Sequence, residues 1–595
     1  IDLETKDSNL LTLGPGWTRK DGYVIGVAVA AGDSSWYFPI AHQSGNMSKN
    51  IVFKWLQKLC DDEKITKVFH NALYDLGWLR AEGIEVKGKI VDTMIAAPLL
   101  DENRKWYNLN SLARDYLGEF KDEKLLKSAA DEFGVDPKSG MWKLPPRYVG
   151  KYAEQDALIT LKLWDNLRKK ITQEECSSIF ELETSLLPVL FEMKTKGVRV
   201  DVDKAHETKK DLTKIEKSLI DEIVKETGVV VEPWVATSVA KVFDAVGLPY
   251  SRTEKSNAPM FTKQFLSNQT HPIAQKIIKI REINKANTTF VDTILEHSHN
   301  GRIHCDFHSL RSDGGGTVTG RFSSSNPNLQ QIPARDPDIK KLIRGLFIPE
   351  EGHKWGSFDY ASQEPRWLVH YCATLTGIDR HPQIDEVVDN YRKGLADFHQ
   401  MVADMAGIKR KEAKTVNLGI MYGMGKGKLA NVMDIEVDEA EKLINTYNER
   451  VPFLKALSEK AMNRAKDHGV IRTWLGRKCR FDMYEPVSFG FNKALPMKEA
   501  IAEYGSIGRI RRAYTYKALN RLIQGSSADQ TKKAMVECYK EGLCPTLTVH
   551  DELCFNIENQ KQADKIVEIM TTCVHNLKVP FEVDTALCNN WGEVD

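Results

Sequence analysis

At 595 residues the chain is too long for one hydrophobic core, so roughly two to four domains are expected. Hydrophobic residues at 42% and charged residues at 28% exclude a disordered chain, and no apolar run reaches the roughly 18 residues of a membrane span. The net charge of +1 names no partner, although a nucleic-acid binder can still gather its cations in one cleft. The 10 cysteines contain no CxxC pair, which argues against a zinc ribbon or a disulfide scaffold and for a reducing compartment. The chain opens at Ile1 without Met and without a basic-then-apolar leader; a few native residues are expected to precede it, with a cytoplasmic location. Residues 1 to about 175 read as mixed α/β: VIGVAVAA (24–31) and TKVFH (66–70) as strands, NIVFKWLQKLC (50–60) and TLKLWDNLRKKI (160–171) as helices. From Ile179 to about His299 the pattern is helical and charge-rich. A polar Gly/Ser/Asn/Pro-rich stretch (312–333) follows, then a strand-like LFIPEEGHKWGSFDY, a long helical region over about 366–470, and a mixed segment holding PTLTVHDELCFNI.

Asp2 and Glu4 sit two apart in IDLET. On a strand that spacing turns both carboxylates to one face, where they can converge on a cation; a solvated strand edge is the competing reading. Asp75 follows Asn71 at the start of an amphipathic helix in FHNALYDLGWL, and Asp156 lies four after Tyr152 in YAEQDALIT, so a phenol and a carboxylate share a helical face. Four acids around hard cations are what magnesium-assisted phosphodiester hydrolysis needs, because oxygen ligands suit Mg²⁺ and paired metals clamp the attacking and leaving oxygens.

Further along, FDYASQEPRW (358–367) places Asp359 at the exit of a strand-like run. LTVHDELCFNI (547–557) reads as a hairpin with acids at its tip, with plain solvation as the alternative. In IKRKEAKTVNLGIMYGMGKGK (408–428), Arg410, Lys414, Leu418 and Tyr422 recur every four residues and form one slowly winding helical stripe. Two cations and then an aromatic can hold a triphosphate and stack on a base. A solvated basic helix competes, but Asn417, Gly419 and Gly423 fit it poorly, since glycine weakens an exposed helix.

The three front segments resemble the exonuclease motifs of the DEDD proofreading family. FDYASQEPR, RKEAKTVNLGIMYG and VHDEL resemble motifs A, B and C of the family A (polymerase I-like) DNA polymerases, and TGRFSSSNPNLQQIP and NRLIQGSSAD match two further segments of that family. The resemblance covers essentially the whole chain. It implies an α/β multidomain protein: an RNase H-like 3′-5′ exonuclease domain at 1–178, then a right-hand polymerase with thumb 179–299, first palm part 300–370, fingers 371–504 and second palm part 505–595.

By the same resemblance Asp2, Glu4, Asp75 and Asp156 are metal ligands, Tyr152 orients the attacking water and Asn71 supports the site. Asp359 and Asp551 hold two Mg²⁺ ions in the palm, with Glu552 in support; each active site takes two ions, and Mn²⁺ can substitute. Arg410, Lys414 and His399 bind the incoming phosphates, with Lys414 the proton donor to pyrophosphate. Glu364 is the steric gate against a ribose 2′-oxygen, Leu418 touches the sugar and Tyr422 stacks near the templating base. Arg321, Asn520 and Gln524 touch the minor-groove side of the terminal pairs, and His550 contacts DNA. Three positions depart from the family pattern: Gln363 replaces an aliphatic residue, Leu418 an aromatic and Tyr516 an arginine.

The function so implied is template-directed DNA synthesis with proofreading in phage genome replication, in the cytoplasm of a host cell. Primer-template DNA and dNTPs are the expected partners of a monomer that does not enter a membrane; a processivity factor, helicase or single-strand binding protein is left open. A nuclease whose second half only holds DNA would not need Asp359, Asp551, Lys414 and Arg410. A single-subunit RNA polymerase is disfavoured by Glu364 and the front acids. A non-enzymatic DNA binder is disfavoured by paired acidic clusters, which repel phosphate unless metals intervene.

Overall fold

The computed structural model describes residues 1–333, 336–395, 397–421, 423–488 and 493–594. At the front, β1 (Asp2–Asp7) pairs antiparallel with β2 (Gly22–Ala31), and β2 with β3 (Ser34–Pro39). The apolar run of β2 is buried through its centre, as its composition dictates. A parallel pair, Lys67–Phe69 with Ile90–Asp92, lies beside β1, where the Ile1 amine donates to the Val68 carbonyl at 3.0 Å. Helix α1 (Ala72–Ala81) follows the first strand of that pair. Helix α2 (Pro146–Gln173) starts with Pro at its first position, where the missing N–H costs nothing. Its buried stripe, Val149, Ala153, Asp156, Thr160, Leu163 and Leu167, recurs every three or four residues and packs over β2 and β3.

Helix α3 (Ser177–Lys196) serves two cores. Ile179, Phe180, Leu187 and Phe191 join the front cluster, while Leu186, Val189, Leu190 and Met193 join the large cluster of the rest of the chain. The expected boundary at 178/179 therefore falls in the first turn of a helix shared by both sides. Next, the helices Val202–Thr227 and Pro272–Lys285 enclose a separate small core around Ile223, Val239, Phe243 and Ile277.

Strand β4 (Lys354–Tyr360) leads into helices α4 (Gln363–Thr374), α5 (Phe398–Ala406), α6 (Arg410–Met421) and α7 (Val437–Arg450), and later α8 (Ala518–Lys540). The expected boundary at 370/371 lies inside α4. Strands β5 (Leu547–Val549), β6 (Glu552–Ile557) and β7 (Val583–Cys588) complete an antiparallel sheet in the order β5-β6-β4-β7. Among the described residues no disulfide joins the cysteines, and no helix is long and apolar enough to cross a membrane.

Helix α8 is buried nearly all round, including Ser526, Asp529, Gln530 and Lys532, so its polar groups need internal partners. They find them across chain segments far apart. Lys532 donates to Glu183 of α3 at 2.5 Å and to the Ser309 carbonyl at 2.7 Å; Arg477 bonds both Glu183 and Asp529, and Thr473 donates to Asp529 at 2.7 Å. Two cations and two anions make this quartet neutral. Front and rear are also tied by Arg480 to Glu102 at 2.9 Å and Glu174 at 2.5 Å, and by Asn103 to Asp482 at 2.8 Å.

Removing one member of a buried, balanced ion set leaves a charge unpaired, at a cost of about 3–5 kcal/mol. Lys532→Met and Glu183→Leu are each expected to lower the thermal transition measured by calorimetry. The double variant restores neutrality through the Arg477–Asp529 pair and should lose less than the sum of the singles. Simple additivity would show that the quartet does not act as a unit.

Candidate active sites

The first site lies on the front sheet. Asp2 and Glu4 share one face of β1, and a register shift follows directly after Glu4. Gly26 stands opposite Glu4; a Cβ there would lie 1.9 Å from the Tyr37 hydroxyl, so only glycine lets that ring cover the strand. Asp75, in the first turn of α1, accepts the Leu3 amide at 2.9 Å, which pins it to the backbone between the two strand acids. The turn before α1 is held by Asp92, which accepts from the amides of Asn71 (2.9 Å), Ala72 (2.8 Å) and Met94 (2.8 Å). Asn71 adopts a left-handed conformation there and its side chain is exposed, so its visible contribution is through its backbone.

From α2, Asp156 and Tyr152 face the same place. Lys121, in the loop ahead of the helix Lys124–Phe133, reaches Asp156 Oδ2 at 2.5 Å and the Tyr152 hydroxyl at 3.2 Å, and lies over the Tyr152 ring. No local pattern in the sequence marks Lys121. The four acids are close enough to repel one another. Burial first, and then the neighbouring carboxylates, raise Glu4 and Asp75, while burial raises Asp2 against the pull of the Ile1 amine and Lys121. Burial pushes Asp156 up to about 7 despite Lys121, and Asp156 Oδ1 is buried without a hydrogen-bond partner.

The second site lies on the four-stranded sheet. Asp359 of β4 pairs with Glu552 of β6 on one side and with Asp584 of β7 on the other. Directly paired residues of antiparallel strands project to the same face, so register alone puts three carboxylates in one row. Asp551 joins them from the β5–β6 turn, where His550 takes the positive φ of 58°. Of the two acids expected at the hairpin tip, only Asp551 lies in the turn, and the alternative of plain solvation fails for Glu552. Glu552 is the first residue of β6 and buried, accepting from Ser357 Oγ at 2.6 Å and from the Trp591 indole at 3.1 Å, with Arg344 at 3.8 Å.

Asp359 itself is exposed at the rim of a cavity of about 570 Å³, lined by Asp551, Glu552, Asp584, Lys340 and Arg344. Partial loss of water, then Asp551, Glu552 and Asp584, push Asp359 up to about 8; the neighbouring carboxylates alone account for the direction. Arg321 is close enough to lower Asp551 against burial, and it forms an ion pair with Glu364. Asn520 and Gln524, one turn apart on α8, are partly exposed on an otherwise buried stretch. Gln363 is buried, with its amide nitrogen donating to Gln530 Oε1 at 3.1 Å and Thr531 Oγ1 at 3.2 Å, so it knits α4 to α8.

On α6, Arg410 and Lys414 are exposed and Leu418 half-buried; Tyr422 lies outside the described residues. Arg410 bonds Asp397 at 2.7 Å. His399, at the start of α5, is near enough to Lys414 and Arg410 for both to hold its pKa down alongside burial.

Among the described residues no group of three or more His, Cys, Asp or Glu side chains is set to hold a metal ion as it stands. The donors nevertheless suit hard divalent cations: all are carboxylate oxygens, most carry raised pKa values, and Asp156 Oδ1 lacks a partner. Crowded acids of this kind gain from a cation that neutralises them.

Residues 2–172 match the family model for a 3′-5′ exonuclease, and residues 202–593 match that for DNA polymerase family A. The DNA-directed DNA polymerase of Pseudomonas phage M6 is 35% identical, over 100% of this chain and 93% of that protein. DNA polymerase DpoZ of Acinetobacter phage SH-Ab 15497 is 28% identical, over 96% of this chain and 93% of its own length. Among solved structures, the POL domain of Pol1 from M. smegmatis, in complex with DNA primer-template and dNTP, superimposes with a TM-score of 0.74. It is 22% identical, covers 96% of this chain and 94% of its own, and attests the shared fold.

Asp359 and Asp156 hold protons in the metal-free folded chain that an unfolded chain releases near pH 4 or so. A carboxyl with a raised folded-state pKa favours the folded state at low pH, and that contribution fades as pH rises toward about 7 and 8. In EDTA the thermal transition should therefore fall between about pH 5 and 9, less steeply in Asp359→Asn and Asp156→Asn. Added Mg²⁺ should stabilise more at the alkaline end, because it displaces protons. Parallel pH curves for the variants and the parent would remove these two groups as the cause.

Proposed function

The chain belongs to DNA polymerase family A and carries a 3′-5′ exonuclease domain, and from that premise we propose that Asp359 and Asp551 hold two Mg²⁺ ions for primer extension. The observation that supports this most directly is the register that sets Asp359 between Glu552 and Asp584, with Asp551 at the adjoining turn. When bound, the metal supplies charge stabilisation for the attacking 3′-oxygen and the triphosphate. The residues do the positioning. Glu552, held by Ser357 and Trp591, keeps the site acidic and rigid without leaving the sheet. Arg410, Lys414 and His399 neutralise the triphosphate, and Arg410 exchanges its Asp397 partner for phosphate. Lys414 donates the proton that the leaving pyrophosphate takes up. Glu364 crowds a ribose 2′-oxygen, and Arg321 leaves it to meet the primer end. Leu418 offers an aliphatic surface to the sugar, and Tyr422 stacks near the template. Asn520, Gln524 and His550 line the path of the duplex.

In the exonuclease domain Asp2, Glu4, Asp75 and Asp156 hold the second metal pair, with Mn²⁺ able to replace Mg²⁺ at either site. Tyr152 orients the attacking water, and Asn71 shapes the turn that delivers Asp75. The segments 1–178, 179–299, 300–370, 371–504 and 505–595 act as exonuclease, thumb, palm, fingers and palm, with α3 and α4 as continuous joints across two of those limits. The working partners are primer-template DNA and dNTPs, and the setting is phage genome replication in a host cytoplasm, with the chain acting as a monomer.

Gel-resolved extension of a labelled primer, with and without dNTPs, tests both sites. Asp359→Ala should lose extension by about 10²–10³-fold or more while still degrading the primer. Asp2→Ala/Glu4→Ala should do the reverse. Degradation without any extension by the parent protein would reduce the polymerase half to a DNA clamp.

A further inference from the structure

Three helices of the segment 371–504 meet at one buried amide. Asn417 on α6 and Tyr447 on α7 are both almost fully removed from solvent. The Tyr447 hydroxyl donates to Asn417 Oδ1, and Asn417 Nδ2 lies 2.9 Å from Nδ1 of His399 on α5. Among the described residues the Tyr447 hydroxyl has no other hydrogen-bond partner, so turning the amide round would strand a buried O–H donor against an NH₂ group. The NH₂ edge therefore faces the imidazole, and it needs a lone pair at Nδ1. A neutral imidazole with its lone pair at Nδ1 carries its proton at Nε2.

His399 is neutral at physiological pH in these surroundings. Burial, then Lys414, and also Arg410 from α6 hold its pKa below the ordinary value, against Asp397 just ahead of α5. For a neutral ring the choice of tautomer decides whether the outer nitrogen donates or repels. The ring is half-buried and Asn417 takes up Nδ1, which leaves Nε2 as the nitrogen for a ligand, on a ring close enough to Lys414 and Arg410 for both to act on it.

We infer that Asn417, oriented by Tyr447, is a positioning residue that fixes His399 as an Nε2–H donor to the triphosphate of the incoming nucleotide. The inference rests on the reading of His399 as a phosphate contact. It gives Asn417 a reason to sit inside a cationic helix, and it explains how a histidine held neutral still serves an anion. Lys414 and Arg410 supply charge, while His399 supplies a directed hydrogen bond whose proton does not depend on pH above the ring's titration.

The test is the KM for dNTP and kcat of primer extension between about pH 6.5 and 9, for the parent, His399→Ala, Asn417→Asp and Tyr447→Phe. Exonucleolytic primer degradation and thermal unfolding serve as checks of folding. His399→Ala should raise KM about tenfold at every pH. In Asn417→Asp the carboxylate accepts from Nδ1–H, so the neutral ring turns a lone pair toward the phosphate. Its KM should stay near the parent value at the acid end, where the imidazolium donates from both nitrogens, and climb about tenfold toward the His399→Ala value as pH rises. The parent should stay flat. Tyr447→Phe frees the amide to turn and should raise KM severalfold without a pH trend and with kcat kept.

An Asn417→Asp profile parallel to the parent, with His399→Ala raised, overturns the tautomer assignment alone. An unchanged KM in His399→Ala overturns the phosphate contact and the inference with it. If Asn417→Asp does not fold, a parent-like KM in Tyr447→Phe overturns the inference.

Discussion

Both sites depend on holding like charges together against their repulsion. Carboxylates a few ångströms apart raise one another's pKa, and burial raises them further, so the surrounding structure has to supply the order that the acids themselves oppose. The sheet does this by register: once β4 pairs with β6 and β7, Asp359, Glu552 and Asp584 have no freedom to separate along the strands. The front site does it by anchoring. Asp75 is bonded to the β1 backbone, its turn is bonded to Asp92, and Lys121 lies against Asp156.

That order has to be stiff, and the stiffness comes from groups remote from the chemistry. Glu552 is an acid of the site and also a structural bond to Ser357 and Trp591, with Trp591 stacked on Trp355. Helix α8 carries Asn520 and Gln524 on one partly exposed edge and is buried over most of the rest of its length, joined through Lys532 and Asp529 to α3 and to Arg477. A buried ion set is weak as a source of stability but strict about geometry, since any displacement leaves a charge unmatched. The same quartet links α3, which is shared with the front core, to α8, which carries Asn520 and Gln524. A cation bound at either candidate site would therefore act on a scaffold already braced at its centre.

The cationic face of α6 follows a different logic. Arg410 and Lys414 are exposed, so water screens them and their attraction for any anion is broad. Behind it lie neutral groups, two of them buried. Tyr447, Asn417 and His399 form a chain of hydrogen bonds already in place without any ligand, so on the inference drawn above no reordering is needed when one binds.

Local spacing makes part of this legible in the sequence. Asp2 and Glu4 on one strand face, Tyr152 and Asp156 on one helix face, and the four-residue stripe of α6 all follow from periods of two and 3.6 or so. The motif order along the chain added the family, and with it the two-site organisation. Lys121, Asp584, Ser357, Trp591 and the Asn417–Tyr447 pair carry no such mark. Each becomes a neighbour only after strands and helices tens to hundreds of residues apart have packed, and the sequence has no period that encodes those distances. The sequence by itself determined which face of each element an acid or a cation would occupy, because that depends on backbone geometry a few residues long. The tertiary structure decided what each would meet there, because partners, burial and protonation are properties of the assembled interior.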